Sequence, residues 1–257
     1  MKERLLVLAK AYPEVSKKYA TLVCVAGLTD KGEWRRSYPI PWEAFARGKI
    51  TRFGKKHWIE YELESETQSD HRPESRKIVP ETIREGSEAA YKELVALLEP
   101  KLKTMEELKA AGHTSQSLGV VKPHSIIDFV QEDNPNYEKV LSKKRQKTLL
   151  GGKAIVIDPP KYKYSYVFED TPDCKHKLLC EDWEVGELYR HCEDYRKLGK
   201  YRDEKEVFEK VKEKMLDVAR KDGAYFIVGT HYRFNTFMIV GVLYPKKSDL
   251  KAASAMG

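Results

Sequence analysis

The 257-residue chain lacks any apolar run of membrane length, and its mean hydropathy of −0.62 argues against a transmembrane helix. Its start, MKERLLVLAK, carries a short apolar run that ends at Lys10, too short for a signal core and without a cleavage site. That run reads as a first strand, and a cytoplasmic protein with no membrane partner is expected. Phosphate-binding Walker loop, dinucleotide fingerprint, HExxH and serine elbow are all missing, which removes several common enzyme classes. Cysteine is scarce at four residues, Cys24, Cys174, Cys180 and Cys192, with no CxxC pair, so neither a disulfide framework nor a standard zinc finger is expected. Glutamine (four) and asparagine (three) are rare beside 34% charged residues, the bias of thermophile proteins, so a thermophilic source is expected. That bias weakens any argument from charge alone, since much of the charge can serve surface ion pairs.

What is present is positive charge. The net charge of +7 and a pI near 9.0 favour a polyanionic partner, RNA or DNA. Strand patterns at Leu5–Ala9, Thr21–Leu28, Glu33–Ile40 and His57–Glu64 fill the N-terminal part, with the turn Thr29–Gly32 between the second and third. A helical stripe covers Gly86–Lys103, and Thr104 with Glu107 three residues on forms a capping box for a helix ending at Ala111 before Gly112. Ser117–Val130 is strand material broken at Pro123. Composition shifts at residues 131–136, after which a basic helix is expected over Tyr137–Leu150 and strands over Ala154–Ile157 and Lys161–Glu169. Helices over Asp182–Leu198 and Asp203–Arg220 precede two closing strands, Tyr225–Thr230 and Thr236–Tyr244. No internal repeat is present.

Strands and helices mix without βαβ regularity. The fold class expected is α+β, with mainly antiparallel sheets, packed helices and an N-terminal part that fits a small OB-like β-barrel. The division expected is residues 1–130, residues 137–245, which could equally be continuous with the first part, and a frayed tail at 246–257.

Chemistry concentrates in Thr171–Cys192, TPDCKHKLLCEDWEVGELYRHC. Asp182 is placed to cap the helix that follows, and Glu184, Glu187 and His191 share one helical face. With Cys174 or His176 from the preceding loop they could hold a divalent ion, while Asp182 and Glu184 alone suit magnesium or manganese. A zinc site on Cys174, His176, Cys180 and His191 or Cys192 competes, and so does a plain capped amphipathic helix. His231 and Arg233, two apart in a hairpin turn, could supply a general acid and a phosphate clamp. For nucleic acid the candidates are Arg36, beside Trp34 and Tyr38, and the basic stretch Lys143, Lys144, Arg145, Lys161 and Lys163. Tyr162 and Tyr164 on the KYKYSYVF strand would be a stacking platform if exposed and ordinary core if buried.

Two pieces, LLVLAK…VCVAGLTDKGEWRRSYPIP and HKLLCEDWEVGELYR with FIVGTHYRFNTFMIVGVLYP, resemble an uncharacterised prokaryotic (archaeal and bacterial) protein family across most of the chain. The resemblance implies no activity. From the residues, the leading expectation is a nucleic-acid-binding protein with a metal-dependent phosphodiesterase site on His176, Asp182, Glu184, His231 and Arg233. The alternatives are a non-catalytic binding module of a defence or RNA-processing assembly, and an enzyme acting on a nucleotide or another phosphorylated ligand.

Overall fold

A computed structural model describes residues 1–12, 14–16, 20–42, 48, 50–142, 160–245 and 249. The fold is α+β with mostly antiparallel sheets, as expected. The chain divides into two units, one of Met1–Glu88 with Gln131–Lys163, the other of Ala89–Val130 with Tyr164–Gly257.

The first unit is built on β1 (Lys2–Lys10), whose Leu5–Ala9 core is buried throughout because β3 (Ala20–Thr29) and β5 (His57–Leu63) flank it on both sides. β2 (Glu14–Ser16) adds to β3. β4 (Trp34–Pro41) returns from the predicted turn, where Gly32 takes φ of 75° and the Thr29 hydroxyl accepts from the Glu33 amide at 3.1 Å. Gly27 lies opposite Val7, and a Cβ there would stand 2.0 Å from the Leu6 carbonyl oxygen, so only glycine allows β1 and β3 to pair this closely. From Ile59 onward β5 alternates, with Ile59, Tyr61 and Leu63 buried and Glu60 and Glu62 exposed. β6 (Ser75–Arg76) and β7 (Ile78–Glu88) end the sheet, in the order β6-β4-β3-β1-β5-β7. Lys77 alone separates β6 from β7, so the two ends of the sheet come near each other through the chain. No ladder joins them among the described residues, and an open sheet stands where a barrel was expected.

The loop before β6 is held by charge. Arg72 donates to Asp70 from Nε at 3.1 Å and from Nη2 at 2.6 Å. Partial burial acts to raise the Asp70 carboxyl, but these hydrogen bonds outweigh it and hold the group below its ordinary range. A depressed carboxyl stabilises the fold above the unfolded-state pKa of about 3.9, and that stabilisation is lost as pH falls through the folded-state value. Asp70→Asn is therefore expected to lower stability by roughly 1.5 kcal/mol at neutral pH. Thermal melts of both proteins should begin to converge as pH falls to the unfolded-state value of about 3.9 and meet only below the lowered folded-state value.

Two three-stranded sheets lie mostly in the second unit. One is β11-β10-β9, from Cys174–Leu179, Tyr162–Thr171 and Ser125–Asp133; the other is β13-β12-β8, from Phe237–Leu243, Tyr225–Thr230 and Leu118–Val121. Its helices are α1 (Tyr91–Leu98), α2 (Met105–Ala111), α3 (Trp183–Lys197) and α4 (Glu204–Ala219). The predicted capping box on α2 is present, and on α4 Val207, Val211, Met215 and Val218 form a buried stripe at helical spacing. The helix expected from Gly86 begins only at Tyr91, because residues through Glu88 pair with β5 and Gly86 is a poor helix former. Glu99–Lys101, containing Pro100, tightens to a 3-10 turn.

β10 supplies the core. Tyr164, Tyr166 and Phe168 share its buried face, where Tyr166 meets Phe129 at 4.7 Å and Phe226 at 4.9 Å between ring centres. The Tyr166 hydroxyl donates to the Met215 carbonyl at 2.9 Å, which satisfies the polar end of a fully buried ring. No helix among the described residues is long and apolar enough to cross a membrane.

Candidate metal centre

The loop expected after β10 is a hairpin. Pro172 and Asp173 form a two-residue turn, with Asp173 in the left-handed region at φ of 63°, a conformation that aspartate tolerates. The chain then runs back as β11, pairing Thr171 with Cys174 and Phe168 with His176. Residues two apart on a strand share a face, so Cys174 and His176 point the same way, and Lys175 and Lys177 the other. His176 is buried against Phe168, with ring centres 5.3 Å apart.

Asp170, just before the turn, faces the same site with a side chain only 1% exposed. Its Oδ1 lies 2.9 Å from His176 Nε2, while Oδ2 accepts from the Met105 amide at 2.6 Å. One carboxylate thus ties the hairpin to the first turn of α2. That turn carries Glu106, half exposed, whose Oε2 is 3.5 Å from His176 Nε2. The Cys174 thiol hydrogen-bonds to the Glu106 carboxylate, and Lys109 Nζ donates to it at 3.1 Å. One ligand atom from each of Glu106, Asp170, Cys174 and His176 lies within 4.8 Å of every other.

Without an ion the thiol is held protonated. Its bond to Glu106 raises it above the ordinary cysteine value, helped by slight desolvation and the Glu106 and Asp170 charges. Slight burial acts to raise Glu106, but the bonds from Cys174 and Lys109 outweigh it and leave the carboxyl lowered. Removing one proton from sulfur leaves one thiolate, one imidazole and two carboxylates. Tetrahedral coordination at zinc distances needs ligand atoms about 3.3–3.8 Å apart, so small side-chain movements close the set. Sulfur and nitrogen donors together favour zinc over magnesium or manganese, which prefer oxygen.

Beside this group opens a cleft of about 560 Å³, walled by Lys109 and His113 from α2 and its exit, Lys175, His176 and Lys177 from β11, and Asn235 to Phe237 before and on β13. The volume suits a ligand of nucleotide size.

Of the residues singled out in the sequence, the structure brings Cys174 and His176 together and adds Glu106 and Asp170. Asp182 is 1% exposed; its Oδ1 accepts from the Glu184 amide at 3.0 Å and its Oδ2 from the Val242 amide at 2.7 Å, so it caps α3 and fastens that helix to β13. Glu184 and His191 are exposed on α3, Glu187 pairs with Arg190, and Cys180 and Cys192 are buried; among the described residues none of them joins a ligand group. His231 and Arg233 sit in the β12–β13 turn, where the Arg233 amide donates to His231 Nδ1 at 3.0 Å, and neither lines the cleft.

The nucleic-acid candidates also separate. Arg36 is buried, its guanidinium reaching Cys24 Sγ at 3.8 Å, so it is no surface clamp. Tyr164 packs against Phe129 at 5.5 Å and is core, which removes half of the proposed platform. Lys161, Tyr162 and Lys163 are half-buried, with the Lys161 ammonium over the Tyr162 ring at 5.1 Å. Lys143, Lys144 and Arg145 lie outside the described residues, as does most of the basic helix expected there.

Residues 1–97 match the family model described as Domain of unknown function (DUF8758), and residues 101–256 match Domain of unknown function (DUF8757). No curated protein matches the chain. All four residues of the group fall within the second match, which covers more than half of the chain. The chain belongs to the family described as Domain of unknown function (DUF8757).

Proposed function

We propose that the protein is a metal-dependent phosphodiesterase acting on nucleic acid, with zinc held by Asp170, Cys174 and His176. The observation that carries this reading is the meeting of Glu106, Asp170, Cys174 and His176 beside a cleft bearing three lysines. Three protein ligands and a bound water make the usual catalytic zinc arrangement. A zinc ion held by those three residues would supply an activated water, and Glu106, the exposed member of the group, is placed to accept its proton. The water oxygen adds to phosphorus, the ester P–O bond breaks, and the proton passes to the leaving oxygen. Lys109, whose Nζ lies 3.1 Å from the Glu106 carboxylate, is the cation placed to offset the charge on the phosphate oxygens.

The test is hydrolysis of an end-labelled oligonucleotide by untagged protein supplied with zinc, manganese or magnesium. Wild type should release shorter products, and Glu106→Gln should slow release by about 100-fold or more while the protein still takes up metal. No product with any of the three ions would overturn the proposal. The cleft volume favours a second reading, a mononucleotide or other phosphorylated ligand as substrate; phosphate release from such a compound without oligonucleotide cleavage would establish it.

A further inference from the structure

Among the described residues few large apolar side chains are exposed, and two of them stand in one five-residue turn: Tyr232 at 56% and Phe234 at 70%. Exposed aromatics so close together usually mark a binding surface. The turn is also well braced. The His231 amide donates to the Thr236 carbonyl at 2.9 Å, the Asn235 amide to the His231 carbonyl at 3.1 Å, and the Arg233 amide to His231 Nδ1. Asn235 holds φ of 51°, which tightens the exit from the turn. Phe234 stacks on the His231 ring, with centres 4.7 Å apart and planes 24° apart, so its outer face is presented as a flat, fixed platform. A platform already ordered loses little entropy when a ligand lies on it.

Its surroundings specify the ligand. Exposed Arg233 stands between the two aromatics in sequence, and Asn235 and Thr236, the next residues, line the cleft together with Lys175 and Lys177. Flat aromatic faces with cations beside them match a chain of bases on a phosphate backbone. In a duplex the base faces are already stacked and are closed to a protein ring, whereas a single strand offers them. We propose that the Tyr232–Phe234 turn is a base-stacking clasp that holds single-stranded nucleic acid at the mouth of the cleft. The clasp rests on the phosphodiesterase reading and names its substrate class: a single strand or an unpaired end.

Binding is measured by fluorescence anisotropy on the full chain, with labelled oligothymidylate and a duplex of mixed sequence, in chelator so that no cleavage occurs. Circular dichroism confirms that each protein stays folded. Wild type should bind the single strand at least about 10-fold more tightly than the duplex, and Tyr232→Ala with Phe234→Ala should weaken single-strand binding roughly 10- to 100-fold. Phe234→Trp should retain it. Equal affinity for both probes, a double variant that binds like wild type, or self-association that vanishes in the double variant would each overturn the clasp. The two readings fail separately. Wild type that takes up metal but binds no single strand sinks the clasp alone, whereas single-strand binding without metal uptake sinks the metal reading and leaves the clasp standing.

Discussion

His176→Ala is expected to weaken zinc binding by well over 100-fold. Changes to residues that merely orient a ligand already cost about 10- to 100-fold, and in the proposed site His176 is itself a ligand, its Nε2 facing both carboxylates. Cys174→Ser should act in the same direction, because serine removes the soft donor that selects zinc. Glu106→Gln should cost less, since Asp170, Cys174 and His176 remain. His191→Ala and Cys192→Ser, which stand outside the group, should bind zinc as wild type does. Competition titration with a chromogenic chelator checks the series. Because His176 is buried against Phe168, loss of folding could imitate loss of a ligand. The exposed Glu106 and the partly exposed Cys174 provide the control, since neither fills the core.

The second large effect concerns a residue that reads as catalytic in the sequence. Asp182→Ala is expected to destabilise the protein by about 2–4 kcal/mol: about 1 kcal/mol for the lost helix cap, the rest for leaving the Val242 amide buried without its acceptor. Glu184→Gln, exposed in the first turn of the same helix, should change stability by less than about 0.5 kcal/mol. Urea unfolding at neutral pH checks both. A catalytic carboxylate would show the opposite pattern, with activity lost and stability kept or raised.

Much of the scaffold was legible because local rules and tertiary packing agree. The Thr104–Glu107 box, the Asp182 cap and the α4 stripe each follow from short-range chemistry, and the structure keeps them. The hairpin at Pro172–Asp173 was the consequential omission. CKHKLL alternates charge with apolar or ligand residues, but its six positions adjoin an acidic helix start, and reading them as loop hid the pairing of Phe168 with His176. With the hairpin in place, Asp170 would have followed as a neighbour across the turn. Glu106 could not have been found this way. It lies over 60 residues from the hairpin and resembles any acid in a helix's first turn, and only the tertiary bond from the Met105 amide to Asp170 brings it near. The α3 acids misled for the converse reason: a face of Glu184, Glu187 and His191 satisfies helical spacing whether or not a fourth ligand stands opposite.

Zinc-edge X-ray absorption on untagged, zinc-loaded protein reads the ligand set itself. The proposed zinc site predicts one equivalent of zinc with a single sulfur neighbour at about 2.3 Å and nitrogen or oxygen neighbours at about 2.0–2.2 Å, and the sulfur signal should vanish in Cys174→Ser. No bound zinc, a shell of oxygen and nitrogen alone, or a sulfur signal that survives Cys174→Ser would contradict it.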